Sequence, residues 1–188
     1  MADELIDVVN DQDIVIGQEL RSVVHRRGLQ HRGVHVLLST GDDTLLIQRR
    51  SKDKIASPSL LDCSVSEHVL AGEDYKTAAN RGMKEELGVM GVEIQEIITF
   101  RMNYGPNDNE ISRLFRGLID PTLVKYDPVE IEQVLYSTLD ELIKKMELSE
   151  DEFCRWFIQI IKWSIGKPSE LKVLHVPDNI RLPWLSIK

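Results

Sequence analysis

The stretch EDYKTAANRGMKEELGV, residues 73–89, decides the fold. Ala78, Ala79, Met83 and Leu87 recur at helical spacing and make a narrow apolar stripe, and Gly88 is placed to stop the helix. With Arg81 at zero on a helical wheel, Glu85 falls at about 40° and Glu86 at about 140°, at roughly 100° per residue. Gly82 lies between them, so two carboxylates flank a position with no side chain. Glu73 precedes the first turn, where its charge suits the helix N-terminus. Adjacent like charges on one helix are unfavourable unless a cation joins them. Hard oxygen ligands with room for water and phosphate oxygens suit Mg²⁺ or Mn²⁺. The spacing therefore predicts a loop and helix that hold a divalent metal against a diphosphate, where the metal neutralises charge and activates a water.

The rest of the chain builds a domain around that helix. Leu5–Val9 and Ile14–Leu20 are short apolar runs separated by an Asn-Asp-Gln turn. Val34–Leu38 and Leu45–Gln48 flank Ser-Thr-Gly-Asp-Asp, a hairpin signal. Ile94–Met102 and Ile111–Ile119 flank a second turn-rich loop. Thr138 with Glu141, and Ser149 with Glu152, have the spacing of capping boxes at helix starts. The last helix, 150–165, is rich in Phe153, Trp156, Phe157, Ile160, Ile161 and Trp163 and is expected to pack on the sheet. Strands, helix, strands and helices in that order predict an α+β or α/β sandwich with a mixed sheet. Residues 1–168 form the single expected domain; 169–188 are a C-terminal tail containing Pro177, Pro183 and Trp184, whose role the sequence does not show.

Composition narrows the function. The chain has 188 residues and a net charge of −8, against the basic face that a nucleic-acid polymer requires. His25, Arg26, Arg27, His31 and Arg32, then Arg49, Arg50, Lys52 and Lys54, form small basic clusters that suit a compact anion. No basic segment leads into an apolar run at the N-terminus, and no apolar run approaches the roughly 20 residues of a membrane helix. Cys63 and Cys154 lack metal-ligand spacing and are taken as reduced thiols. These features together give the expectation of a cytoplasmic protein with no membrane partner.

Residues 73–89 resemble the Nudix box: a Gly, five residues, Glu, seven residues, then Arg-Glu-apolar-x-Glu-Glu-x-Gly-apolar. Glu73, Arg81, Met83, Glu85, Glu86, Gly88 and Val89 match. Two positions depart: the opening Gly is Glu67, and the Glu after Arg81 is Gly82. By the resemblance, the fold is an α/β/α sandwich with a mixed central sheet, Arg81 pairs with Glu73 to hold the loop, Glu73, Glu85 and Glu86 are metal residues, Arg81, Glu85 and Glu86 belong to the catalytic set, and a homodimer is compatible with the family. The flanks, GLQHRGVHVLL at 28–38 and LLIQRRSKDKI at 45–55, are similar to type I isopentenyl-diphosphate isomerase and its Nudix relatives, over about residues 5–165. Where those isomerases have Cys-Gly-His, this chain has Ser66-Glu67-His68; where they have Glu-Asn-Glu, it has Asp108-Asn109-Glu110. The resemblance implies a second metal-ligand set of His25, His31, His68, Asp108 and Glu110, with Glu110 and Ser66 in the catalytic positions. It implies that Arg50 and Lys54 contact the diphosphate. The isomerase Trp of the last helix aligns with Asp151, and Trp156 is expected in the core. His35 is a strand residue without an assigned role.

Three functions follow. The first is a metal-dependent Nudix hydrolase that cleaves a diphosphate linkage in a small nucleotide-like or isoprenoid-like substrate, favoured by the retained Glu85–Glu86 pair. The second is an isomerase acting on isopentenyl diphosphate, which needs an acid and a base on opposite faces of an alkene; Ser66 is a weaker acid–base group than a thiol. The third is a catalytically silent diphosphate-binding module.

Overall fold

The computed structural model describes residues 3–42 and 44–180. Among them ten strands form one mixed sheet, joined by four α-helices. The helices are α1 (Arg21–Arg27), α2 (Tyr75–Leu87), α3 (Leu139–Leu148) and α4 (Arg155–Ser164). The strands that matter for the site are β1 (Leu5–Val9), β2 (Val15–Leu20), β3 (His31–Ser39), β4 (Thr44–Arg50), β5 (Leu61–Asp62), β6 (Val65–His68), β7 (Ile94–Gly105) and β8 (Asp108–Leu118). β9 (Ile131–Thr138) and β10 (Lys172–His175) complete the set.

The sandwich follows from strand periodicity. On β3, Val34, Val36 and Leu38 point to the face covered by α2, where they meet Ala78, Ala79, Met83 and Leu87. Leu37 points to the opposite face, into a larger cluster with Phe153, Phe157, Ile160 and Ile161 from the end of the chain. Both sides of β3 are therefore buried, as a central strand between two layers requires; the side of Val34 and Val36 is apolar throughout, whereas the side of Leu37 also carries His31, Gly33 and His35. β3 pairs parallel with β8 and antiparallel with β6, so the sheet is mixed.

Three expectations about local structure meet different outcomes. β3 and β4 form the expected hairpin, but a short one: they pair antiparallel at Ser39↔Leu45, with the Thr40 amide donating to the Thr44 carbonyl at 2.9 Å across the turn. Beyond it the strands part, β3 running along β8 and β6, and β4 along β9 from Thr44↔Thr138 to Arg50↔Ile131. Thr138 and Glu141 form a reciprocal capping box at the start of α3. Ser149 and Glu152 do not: Ser149 makes no side-chain cap, Glu150–Glu152 is a single 3-10 turn, and Phe153 is extended and bridges Leu61. Burial of Phe153 draws the chain out of helical geometry, and α4 starts only at Arg155.

The segment beyond residue 168 contributes a strand, since β10 pairs antiparallel with β7. Pro183 and Trp184 lie outside the described residues. The basic residues His25, Arg26 and Arg27 sit in the last turn of α1, where cations complement the helix dipole, rather than in a loop. Cys63 and Cys154 are both buried and carry no disulfide.

Candidate functional site

α2 is held at both ends. The Asp74 carboxylate accepts the Thr77 amide at 2.8 Å, and Gly88 closes the helix in the left-handed conformation, φ 68°. Arg81 ties the helix to the loop before it. Its Nε donates to Glu73 Oε1 at 3.1 Å, and its Nη2 donates to Glu73 Oε2 at 3.2 Å and to the His68 carbonyl at 2.7 Å. Its Nη1 donates to Glu67 Oε2 at 3.3 Å and Glu85 Oε2 at 3.2 Å. Burial alone would lower the guanidinium pKa, but these carboxylates outweigh it and raise it. Glu73 is thus spent on positioning Arg81, and Glu85 lies at the surface with its side chain 57 % exposed.

Glu86 is its opposite, at 1 % exposure. Its Oε2 accepts from Gln48 Nε2 at 3.0 Å, while Oε1 has no hydrogen-bond partner. Lys54 Nζ approaches Oε1 to 3.7 Å and is also ion-paired with Glu130. Burial, then the charge of Glu67, pushes the Glu86 carboxyl up to about 8, against the opposing pull of Lys54 and Gln48. A buried carboxylate oxygen that accepts no hydrogen bond among the described residues has the chemistry to take a cation, in exchange for its 3.7 Å contact with the lysine. Arg50 stands nearby but faces inward. It is buried, donates to Asp62 Oδ2 at 2.9 Å and to the Ala56 carbonyl at 3.3 Å, and lies 5.6 Å from the Trp156 ring centroid.

The second set of ligand types is brought together by sheet register. β3 sets His31 opposite Glu110 of β8, and Gly33 opposite His68 of β6. His25 comes from α1 and Asp108 from the start of β8. His25 Nε2 is 3.1 Å from His68 Nε2, and His25 Nδ1 is 3.3 Å from Asp108 Oδ1. His31 Nε2 lies 3.4 Å from Glu110 Oε1 and 3.8 Å from Asp108 Oδ1. His31 Nδ1 is 3.0 Å from the Leu29 carbonyl, which fixes Nε2 as the nitrogen aimed inward. His31 Nε2 and Asp108 Oδ1 have no hydrogen-bond partner. Burial tends to lower the His31 pKa, but Glu110 outweighs it and raises it; burial drives that of His68 well down. Three imidazoles and two carboxylates converging with orphaned inward atoms suit a divalent ion of intermediate softness.

Gly33 makes room for this cluster. A Cβ there would sit 2.0 Å from Glu110 Oε2. Gly33→Ala is therefore expected to expel the Glu110 carboxylate, leave the buried Ser112 hydroxyl short of a partner, and cost about 1–3 kcal/mol in chemical denaturation. Mn²⁺ binding to the cluster should weaken in the same variant.

A buried polar chain runs from this cluster to β5. Ser112 Oγ donates to Glu110 Oε2 at 2.9 Å and meets the Tyr104 hydroxyl at 2.8 Å. Tyr104 meets His35 Nε2 at 2.9 Å, His35 Nδ1 meets Ser66 Oγ at 3.0 Å, and Ser66 donates to Asp62 Oδ1 at 3.0 Å. The two serines, the tyrosine and a neutral His35 carry one transferable proton each, one fewer than the contacts to be bridged. The chain is fully bonded only when it holds one proton more, and burial keeps His35 from being its seat by lowering its pKa. Asp62 bonds the Ser66 hydroxyl and not the imidazole, so the trio is not arranged like a carboxylate-oriented imidazole and its nucleophile. Trp156 closes this region: its indole donates to Asp62 Oδ1 at 2.6 Å and its ring lies 5.4 Å from Tyr104. It is buried as expected, but against polar groups of the site, whereas Asp151 lies in the exposed 3-10 turn.

Asp62, His35, Tyr104, Ser112 and Trp156 were not singled out from sequence as site residues. The available signals were weak: a His at an inward position of an apolar strand, and an Asp bordering an apolar run. Open clefts of about 560 and 600 Å³, which share Asp13, Glu96 and Arg113, are lined by neither Glu86 nor the histidine cluster.

Residues 29–157 match the NUDIX domain family model. A Yersinia pestis protein named as an uncharacterized Nudix hydrolase is 29 % identical over 147 residues, covering 77 % of this chain and 78 % of its own. The isopentenyl-diphosphate Delta-isomerase of Serratia proteamaculans is 28 % identical over 164 residues, covering 85 % of this chain and 90 % of its own. A crystal structure from Deinococcus radiodurans superposes with a TM-score of 0.66 at 27 % identity, over 77 % of this chain and 90 % of that one.

Proposed function

We propose, from the premise that this chain belongs to the NUDIX domain family, that it is a metal-dependent hydrolase that cleaves a diphosphate linkage in a small substrate. The observation that carries this reading is Glu86, buried, with Oε1 free of hydrogen bonds, beside the ammonium of Lys54. Glu86 would hold Mg²⁺ or Mn²⁺, and the bound ion would supply charge neutralisation and an activated water. Lys54 would meet diphosphate oxygens as a point charge. Arg50 would act from behind, since its guanidinium is committed to Asp62. Purified protein with Mg²⁺ is expected to release phosphate, diphosphate or nucleoside monophosphate from a member of a broad diphosphate panel. Absence of release from every member would remove the hydrolase reading.

The cluster of His25, His31, His68, Asp108 and Glu110 favours a second reading, isomerisation of an isoprenoid diphosphate. Glu110 would move the proton on one face of the alkene, and the Ser66 end of the buried chain would serve the other. Incubation of isopentenyl diphosphate in heavy water tests it: deuterium entering the carbon skeleton supports it, and an unlabelled product pool removes it.

A further inference from the structure

The two departures of residues 66–89 from the Nudix box, Glu67 and Gly82, are contiguous in space. A Cβ at Gly82 would lie 2.8 Å from Glu67 Cγ and 2.6 Å from Val65 Cγ1. Val65 and Glu67 are two apart on β6 and so face the same side, toward α2. The stem of Glu67 thus fills the space that a side chain at position 82 would need, and neither a Glu nor an Ala fits there beside it. We infer that Glu67 takes over, from the strand, the carboxylate that Gly82 withholds from the helix, and that it binds the metal together with Glu86. This rests on the placement of metal at Glu86 proposed above.

Two features bear on the role. Glu67 is not consumed by its contact with Arg81: among the described residues its carboxylate accepts that arginine through Oε2, at 3.3 Å, while Arg81 is already held by Glu73 and the His68 carbonyl at shorter range. The neighbouring Glu86 Oε1 is buried and accepts no hydrogen bond among the described residues, which suits a metal ligand. Lys54 Nζ stands 3.7 Å from Glu86 Oε1, and its positive charge acts on both carboxyls. A hydrolase of this family with Gly after the arginine would otherwise be one acidic ligand short; moving that ligand to the opposing strand restores the charge without restoring the sequence pattern.

The test is Mg²⁺ titrated into the full chain by calorimetry, with a metal-free melting curve for every variant. Mg²⁺ reports on the oxygen-rich locus rather than on the histidine cluster. Glu67→Gln keeps the size of the side chain and an acceptor for Arg81. It is expected to melt as the parent does and to weaken Mg²⁺ binding by at least about 10- to 100-fold, the range seen when even an outer-shell partner is lost. The reciprocal exchange, Glu67→Gly with Gly82→Glu, made together with Val65→Ala to clear Cγ1 from the new Cβ, is expected to restore binding toward the parent value, because the carboxylate then enters the same space from the helix. Unchanged binding in Glu67→Gln, with binding impaired in Glu86→Gln, overturns this inference alone. Unchanged binding in Glu86→Gln, or no Mg²⁺ binding by the parent, overturns the placement of metal at Glu86 and this inference with it. A folded exchange variant that fails to recover binding shows that Glu67 acts through Arg81, and also overturns it. Should the exchange not fold, Glu67→Gln decides the matter by itself.

Discussion

Glu86→Gln is expected to abolish metal-dependent turnover while leaving the fold intact. Gln is nearly isosteric, and its amide can still meet Gln48, which holds Oε2 at 3.0 Å. What it lacks is the negative charge. Metal charge stabilisation is worth several kcal/mol, and at 1.36 kcal/mol per factor of ten its loss lowers kcat/KM by about 10³-fold or more. Steady-state assays on the substrate found in the diphosphate panel measure this directly, and turnover near the parent rate would place the metal elsewhere.

The same variant has a second, opposite effect. Glu86 titrates at about 8 in the folded protein, against an ordinary value of 4.5. A carboxyl whose folded pKa is raised favours the folded state at low pH, because the folded protein holds the proton more tightly. That contribution is full below 4.5 and is lost as pH rises through 8. Without metal, the parent should therefore lose stability across this window relative to Glu86→Gln, and above pH 8 the variant should melt higher. Added Mg²⁺ should narrow or reverse the gap, since only the parent gains from binding. A melting-temperature difference that is flat between pH 4.5 and 9 would show that the carboxyl is not perturbed.

Asp62→Ala carries the largest expected loss of stability. Asp62 is fully buried and accepts from Arg50 Nη1 at 2.9 Å, the Cys63 amide at 2.7 Å, the Ser66 hydroxyl at 3.0 Å and the Trp156 indole at 2.6 Å. Its removal leaves the guanidinium of Arg50 buried without its carboxylate. Breaking a buried pair in this way costs about 3–5 kcal/mol. At about 2–4 °C per kcal/mol for a chain of this size, the melting temperature should fall by roughly 6–20 °C. Diphosphate affinity should fall too, because Arg50 and Trp156 both lean on the same carboxylate. A fall of only a degree or two would mean that water replaces Asp62 at little cost.

The parts of the fold that were legible in the sequence are those set by short-range periodicity. The stripe of Ala78, Ala79, Met83 and Leu87 defines α2, and all four are buried. Thr138 and Glu141 mark α3 because a capping box is a four-residue device. Ser149 and Glu152 show the same spacing and fail, since the demand to bury Phe153 outweighs a cap worth about 1 kcal/mol. The hairpin of β3 and β4 was legible only at its turn: the signal fixes that the chain reverses and pairs there, not which strand each partner then runs along.

For the site, the sequence by itself determined the chemistry available: Arg81 placed to meet Glu73, adjacent Glu85 and Glu86, and five candidate ligands that the resemblance drew from three segments. Each of these depends on residue identity and on spacing within one element or one pattern. Only the tertiary structure decided which carboxylate is buried. Glu85 faces solvent and Glu86 is buried because α2 lies on β3 and β6 along one side only. It was the pairing of His31 with Glu110 and of Gly33 with His68 that turned residues 25 to 110 into one cluster, since a shift of one residue in either ladder would send alternate side chains to the other face. And it was the close approach of β6 to α2 that made Glu67 and Gly82, two separate departures in sequence, into the two halves of a single exchange.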